Sequence, residues 1–166
     1  MTGKMDMTSG RELAGGIYDY DALEVGDCYW TGRIDVTEAH VVGFAGLSGD
    51  LFDVHMDEEF AQGHGFPARI AHGLLVLAMA DGLKNRAAAR IRAIASMGWT
   101  DWRFRHPVLI GDRIRARIMV AAKKPHRDPL RGILTLQLVV HNQHDLVVQE
   151  GLTLLLCERT GPVGSG

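Results

Sequence analysis

The chain has 166 residues, of which 46% are hydrophobic and 23% charged, and these values predict a globular rather than a disordered protein. The net charge of −2 argues against nucleic acid or an anionic membrane as a partner. The two cysteines, Cys28 and Cys157, form no CxxC motif. This argues against a disulfide scaffold or a thiolate zinc site and suits a reducing compartment.

The first residues lack the apolar segment of a signal peptide, so we expect a cytoplasmic protein. Residues 1–16 and 161–166 are predicted to be flexible tails around a single domain at residues 17–160. Within that domain, residues 28–36 are typical of a strand, and Thr37 is a candidate N-cap for a helix that ends near Gly46.

A loop over residues 48–57 follows this helix, and residues 58–61 are compatible with one short helical turn. The next segment, Ile70–Leu83, reads IAHGLLVLAMADGL and is apolar around almost its whole circumference. A helix without a polar stripe has to be buried, so we expect this one at the centre of the fold, with an exposed extension as far as Arg90. At about 21 Å it would be too short to span a bilayer.

The second half of the chain has β character. Strands are predicted over residues 94–106, 112–122, 132–140 and 146–158, with alternating apolar side chains in 112–122 and a proline-containing hairpin loop at 123–131. Hairpin connections favour antiparallel pairing, and together with the single long apolar helix they predict an α+β fold.

Asp50 and His55 lie five residues apart in the loop that precedes the apolar helix. A carboxylate and an imidazole that reach one water molecule can divide acid and base catalysis between them, and burial would shift their pKa values. The alternative is an aspartate that stabilises a turn beside a histidine with a purely structural role.

His72 and Gly73 lie at the start of the same helix, where backbone N–H groups are free and the helix dipole is positive. A developing oxyanion would be stabilised there, because glycine lets a ligand approach the backbone closely. The alternative is that Gly73 only permits close packing of the helix on the sheet.

Two further clusters have weaker functional interpretations. A metal site formed by His55, His64 and His72 has no supporting motif, so no metal is expected. A basic hairpin loop could bind the phosphates of a ligand such as coenzyme A, although a solvated loop is the commoner explanation; its cations are Lys123, Lys124, Arg127 and Arg131.

The sequence resembles the MaoC-like (R)-specific enoyl-CoA hydratase family over roughly residues 18–158. The resemblance rests on FAGLSGD at Phe44–Asp50, HMDEEFA at His55–Ala61, RIAHGLL at Arg69–Leu75, FRHPV at Phe104–Val108 and the Gly111-Asp112 turn. It implies a single hot-dog domain, in which an antiparallel sheet wraps around a central buried helix. It also implies a homodimer or a dimer of dimers, with an acyl-CoA substrate bound near the interface.

On this resemblance Asp50 and His55 are the catalytic pair, and the Gly73 amide, next to His72, binds the oxyanion. The implied reaction is reversible hydration of a trans-2-enoyl-CoA in fatty acid metabolism, without a cofactor other than the coenzyme A of the substrate. A hot-dog thioesterase and a non-catalytic acyl-CoA-binding subunit remain alternatives.

Two departures from the family pattern affect the predicted substrate site. Phe52 and Asp53 replace the Asn-Pro of the usual Asp-x-Asn-Pro-x-His loop, and an aromatic residue at the first position resembles a branch with phenylacetate ring-opening hydratase domains. Asp81 replaces a serine on the central helix. Phe52 and Asp81 are therefore candidate substrate-binding residues, and a buried Asp81 would need a partner.

Overall fold

The computed structural model describes residues 10–160, and it contains eight strands and four helices. In chain order these are β1 (Gly16–Tyr18), β2 (Cys28–Trp30), β3 (Ile34–Asp35), α1 (Glu38–Ser48), α2 (Asp53–Met56), α3 (Glu58–Gly63), α4 (Gly73–Lys84), β4 (Ala89–Ile91), β5 (Ala93–Phe104), β6 (Arg113–Pro125), β7 (Arg131–His141) and β8 (Val147–Glu158).

The long strands form one antiparallel sheet in the order β2-β6-β7-β8-β5, with β3 also paired to β6. Short strands β1 and β4 pair with each other in parallel. The register places Phe104 opposite Gln149 at one end of β5 and Ala93 opposite Cys157 at the other. The predicted α+β class with hairpin-connected strands is therefore confirmed.

Helix α4 packs on this sheet through one face. Leu75, Val76 and Ala80 lie in the same buried cluster as Ile114 and Ala116 of β6. Burial of such aliphatic side chains contributes roughly 1.5–3 kcal/mol each, which makes this contact the main attachment of the helix.

The predicted start of the central helix and its expected extension to Arg90 were wrong. The helix begins at Gly73, because Ala71 donates its N–H to the Val108 carbonyl and Ile70 bridges to Leu109 in an extended conformation. It ends at Lys84, and the expected extension to Arg90 is replaced by a turn and strand β4. Complete burial was also wrong, since Leu74 is 61% exposed.

Other local predictions were closer to the structure. Thr37 is the N-cap of α1 and exchanges two hydrogen bonds with His40 in a capping box. The predicted strand over residues 28–36 is interrupted between Trp30 and Ile34, so it forms β2 and β3.

The predicted N-terminal tail is only partly covered by the structure. Residues 1–9 and 161–166 lie outside the described part, but residues 10–16 contact the domain, since Leu13 is buried and Arg11 pairs with Asp27. Within residues 10–160, no helix has the length and hydropathy that a membrane span requires.

Strand β5 forms an open edge of the sheet and exposes apolar side chains along its length. Ile94, Met97 and Phe104 are 45%, 53% and 59% exposed, and Trp99 is also exposed. Its other edge pairs with β8. The β5 edge and the exposed stripe of α4 at Leu74 and Ala78 thus leave apolar side chains unburied in the protomer.

Candidate active site

The loop that carries Asp50 is fixed by the end of α1. The helix ends at Gly49, which has the left-handed φ of 78° that glycine adopts without strain, and its N–H bonds to the Ala45 carbonyl. The Asp50 N–H then donates to the Ser48 hydroxyl. These bonds turn the chain so that Asp50, which is exposed in the protomer, lies at the mouth of a cavity.

The helical turn α2 places His55 deep in the same cavity, where the residue is 9% exposed. Its Nδ1 lies 2.8 Å from the Ile70 carbonyl. A carbonyl only accepts hydrogen bonds, so Nδ1 carries the proton and Nε2 of neutral His55 keeps its lone pair. Burial lowers the pKa of His55, and nearby His72 adds to this, against the opposing effects of the Ile70 hydrogen bond and of Asp50.

His72 ties the Asp50 loop to the start of α4. Its Nε2 donates to the Asp50 carbonyl at 2.9 Å, and its ring lies against that of His55 with centroids 3.9 Å apart. The side chain is 1% exposed, and its Nδ1 finds no hydrogen-bond partner among residues 10–160. His72 therefore positions the backbone of Asp50 while its ring forms part of the cavity wall.

Gly73 is the first residue of α4, and no side chain caps this helix start. The amides of the first turn have no partner within the helix, so they are available to a ligand. A Cβ at this position would lie 2.3 Å from the Phe104 ring, which explains the glycine in packing terms. Both predicted roles of Gly73, ligand approach and close packing, are thus compatible with the structure.

A buried relay that the sequence did not suggest holds this helix start. Gln149, 2% exposed, donates to the Gly73 carbonyl at 2.9 Å and accepts a hydrogen bond from the Trp102 indole at 3.0 Å. The polar Gln149 in an otherwise alternating strand was the available signal. Its partners lie 76 and 47 residues away in sequence, so spacing alone could not identify them.

One cavity of about 450 Å³ brings together five of the six predicted site residues. This volume is in the range of ordinary small-molecule sites. Its wall includes Asp50, Phe52, His55, His72 and Gly73, and also Leu74, Phe104 and Gln149. Phe52 is 61% exposed and meets the His55 ring edge-on, so it lies beside the pair at the cavity entrance.

Asp81 is the predicted site residue that the structure places elsewhere. It lies on α4 two turns beyond Gly73, outside the wall of this cavity, and forms an ion pair with Lys84. Lys84 is therefore the partner that a buried Asp81 was expected to need.

The other clusters considered from the sequence are separated in the structure. Within residues 10–160 a single group could share a metal ion, with donor atoms of Asp50, His55 and His72 within 4.8 Å of one another. His64 is not in this group and instead bonds to the Phe60 carbonyl. In the basic loop, Lys123 contacts the Leu23 carbonyl and the Tyr20 ring, and Arg131 pairs with Asp128.

Known proteins of similar sequence include hydratases. Protein MaoC of Klebsiella aerogenes is 38% identical over 104 residues, which cover 63% of this chain and 31% of that protein. The (R)-specific enoyl-CoA hydratase of Rhodospirillum rubrum is 32% identical over 95 residues, which cover 55% of this chain and 62% of the hydratase. The chain thus spans about a third to three-fifths of the length of these curated relatives.

Similar solved structures identify the fold. An Archaeoglobus protein described as a monoamine oxidase regulatory protein has a TM-score of 0.80 at 31% identity, covering 89% of this chain and 99% of that one. The unliganded R-hydratase PhaJ1 of Pseudomonas aeruginosa has a TM-score of 0.71 at 28% identity, covering 85% and 86%. A Mycobacterium tuberculosis protein described as a double hot-dog fold has a TM-score of 0.76 at 18% identity, covering 90% and 46%.

The predicted hot-dog fold is thereby confirmed. A protein-family model described as "MaoC like domain" matches residues 25–142, a segment that contains the Asp50 loop, α4 and the first three long strands. Because this match covers most of the described domain, the chain belongs to the MaoC-like domain family.

Proposed function

We propose that the protein is an acyl-CoA hydro-lyase, which adds water reversibly to a trans-2-enoyl-CoA to give a 3-hydroxyacyl-CoA. The observation that carries the proposal is the convergence of Asp50, His55 and the uncapped Gly73 helix start on one cavity. The names of the relatives, which include an (R)-specific enoyl-CoA hydratase and an R-hydratase, support the same reaction class.

In the proposed mechanism, a water molecule binds between the Asp50 carboxylate and Nε2 of His55. The carboxylate removes one proton from the water while His55 orients it, and the water oxygen forms a bond to C3 of the enoyl group. The π electrons of the double bond move onto the thioester, and the resulting enolate oxygen accepts a hydrogen bond from the Gly73 N–H. Asp50 then returns its proton to C2, and dehydration follows the same steps in reverse.

This chemistry requires no metal or separate cofactor. The ring nitrogens that bond to backbone carbonyls, Nδ1 of His55 and Nε2 of His72, have hydrogen-bonding roles that orient the site. A metal ion would have to use the remaining nitrogen of each ring together with Asp50, and it would then occupy the position proposed for the reacting water.

The experiment that tests the function is a screen of enoyl-CoA and 3-hydroxyacyl-CoA thioesters, read by mass spectrometry after dialysis against EDTA. We expect interconversion of species that differ by one water molecule and no release of free thiol. Thiol release would instead indicate a thioesterase, and tight binding without turnover would indicate a non-catalytic subunit. Activity that depends on an added metal would contradict the metal-free mechanism.

The pH dependence follows from the environment of His55. Because burial lowers the pKa of His55 below its ordinary value of 6.5, the neutral imidazole that the mechanism needs persists into mildly acidic solution. Activity is lost only as the pH falls through this lowered pKa. We therefore expect the acid limb of the kcat/KM profile to have its midpoint below 6.5, and a midpoint above 6.5 would contradict this role.

We also propose that the protein forms a homodimer by pairing β5 with β5 of a second copy. The open edge and its exposed apolar side chains support this, and so does the double hot-dog fold of a structural neighbour whose length is about twice the matched region. Leu74 and Phe104 lie in the wall of the catalytic cavity, so the partner subunit would complete that wall.

Met97→Arg is expected to convert the dimer to a monomer, because it places a charge at the middle of the paired edge. The measurement is light scattering coupled to size-exclusion chromatography, in which wild type should have twice the mass of the chain. Leu130→Arg is the matched control, because Leu130 is similarly exposed, at 59%, but lies in the distant hairpin between β6 and β7. A Met97→Arg protein that stays dimeric would place the interface elsewhere.

A further inference from the structure

A second cavity lies at the opposite end of α4 from the catalytic one. Its volume is about 240 Å³, which is below the range of sites that enclose a whole small-molecule ligand and suits the end of a longer one. Its wall combines aliphatic and polar groups, among them Tyr29, Asp81, Lys84, Asn85, Ile94 and Ser96.

The ion pair in this wall has unused hydrogen-bonding capacity. Lys84 is 8% exposed, and Asp81 is its charged partner within residues 10–160. The Asp81 Oδ1 atom that faces this ammonium group is buried and accepts no hydrogen bond from residues 10–160, and an ammonium group has three N–H donors to offer. A buried ammonium is costly when its donors lack partners, so the cavity favours an occupant that provides oxygen atoms.

The two cavities mark the two ends of β5, since Phe104 borders the catalytic cavity and Ala93 borders the second one. Antiparallel pairing of β5 with a second copy requires a two-fold axis perpendicular to the sheet, so both copies of α4 lie on the same face. An axis near the middle of β5 then places the Phe104 end of one protomer beside the Ala93 end of the other. The second cavity of each protomer thus adjoins the catalytic cavity of its partner.

We propose that the Asp81–Lys84 cavity of one subunit receives the far end of the acyl chain bound at the catalytic cavity of the other, and that this end bears a neutral oxygen group such as a hydroxyl. This inference deepens the proposed hydro-lyase function and rests on it and on the β5 dimer. A hydroxyl accepts from Lys84 and donates to Asp81, so it uses the free capacity of both. A carboxylate is less suitable, because the ion pair has no net charge to balance it.

The first test uses the wild-type dimer and pairs of trans-2-enoyl-CoA substrates, matched in chain length, that end in either a methyl or a hydroxyl group. We expect kcat/KM to be at least about tenfold higher for the hydroxyl-ended member at the chain length that reaches the cavity. Equal values, or a preference for the methyl-ended member at every length, would overturn the proposal.

Binding of the corresponding saturated acyl-CoA pairs, measured by calorimetry, separates this inference from the proposed reaction. Tighter binding of the hydroxyl-ended thioester without any hydration would support the cavity and reject the hydro-lyase function. Hydration of the enoyl-CoA without a preference between the paired ligands would support the function and reject the inference.

The double variant Asp81→Leu, Lys84→Met tests the residues themselves, because it removes both charges and leaves no unpaired one. We expect the preference to shift from the hydroxyl-ended to the methyl-ended substrate by at least about tenfold. Arg86→Met is the matched control, since Arg86 is exposed nearby but does not border the cavity, and it should keep the wild-type ratio. An unchanged ratio in the double variant would contradict the assignment.

Mixed dimers test the contribution of the partner subunit. One subunit carries Asp50→Asn and His55→Gln, and the other carries Asp81→Leu and Lys84→Met. In the mixed dimer the intact catalytic pair faces the intact cavity across the interface, so the hydroxyl preference should be retained. Loss of the preference would show that the cavity acts within its own subunit and would overturn the arrangement across the interface.

Discussion

Replacing Asp50 with Asn and His55 with Gln is expected to lower kcat/KM for enoyl-CoA hydration by roughly 10²–10⁴-fold for each single variant. Asn cannot take a proton from water, and Gln lacks the basic Nε2 that the Ile70 hydrogen bond leaves free in His55. Because the two side chains act on one water molecule, the double variant should lose little more than either single variant. Steady-state rates of hydration, with circular dichroism as a check on folding, measure these effects.

Asp53→Asn and His64→Gln are the matched controls for these substitutions. Asp53 is the first residue of α2 but is exposed and lies outside the cavity wall, and His64 is exposed beside α3. Both control proteins should stay within a few-fold of wild type, as is usual for surface substitutions. Full activity in the Asp50→Asn, His55→Gln double variant would refute the mechanism.

Gly73→Ala is expected to reduce kcat/KM by at least about 10²-fold, similar to the loss of an oxyanion donor. The new Cβ would lie 2.3 Å from the Phe104 ring and would crowd the first amide of α4. Displacement of the ring should also cost stability, by about 1–3 kcal/mol for an overpacked contact. Hydration rates and chemical denaturation measure the two effects separately.

A second substitution distinguishes the two roles of Gly73. In a Phe104→Ala background the Cβ that Gly73→Ala introduces no longer meets the ring, so the loss of stability should disappear. If Gly73 admits the thioester oxygen to the helix start, activity should still fall relative to Phe104→Ala alone. Recovery of both stability and activity would show that Gly73 is needed only for packing.

Much of the fold was accessible from the sequence, because short-range patterns carry it. Apolar segments separated by turn signals predicted the long strands, and Thr37 predicted the start of α1 through a cap that depends on the next three residues. The start of α4 was mispredicted because Ile70 and Ala71 fit an apolar helix equally well. What excludes them from the helix is pairing with Val108 and Leu109, which are distant in sequence.

The candidate site was predicted to a similar degree, and for the same reason. The spacing of Asp50 and His55, together with the family resemblance, identified residues that meet in one cavity. The positioning role of His72 and the support from Gln149 depend on contacts between distant segments. The Asp81–Lys84 pair does not depend on distant contacts, because Lys84 lies only three residues further along the same helix. This pair could therefore have been identified from spacing alone.

The exposed stripe of α4 has a related explanation. An apolar helix surface is usually taken as a sign of burial within one chain, yet Leu74 is largely exposed in the protomer. The stripe and the β5 edge flank the catalytic cavity, where a second copy would cover them. If the proposed dimer forms, the hydrophobicity of this helix reflects burial between two chains as well as within one.

The Trp102–Gln149–Gly73 relay also makes the helix start optically observable. The fluorescence of an indole depends on the hydrogen bond that its N–H donates. Gln149, which accepts this bond from Trp102, also donates to the Gly73 carbonyl, so a movement of the start of α4 would change the geometry of both bonds. A thioester oxygen that accepts a hydrogen bond from the Gly73 N–H would therefore alter the hydrogen bond between Gln149 and Trp102. The emission of Trp102, isolated by replacing Trp30 and Trp99 with Phe, would thus provide a reporter of occupancy that requires neither turnover nor a label.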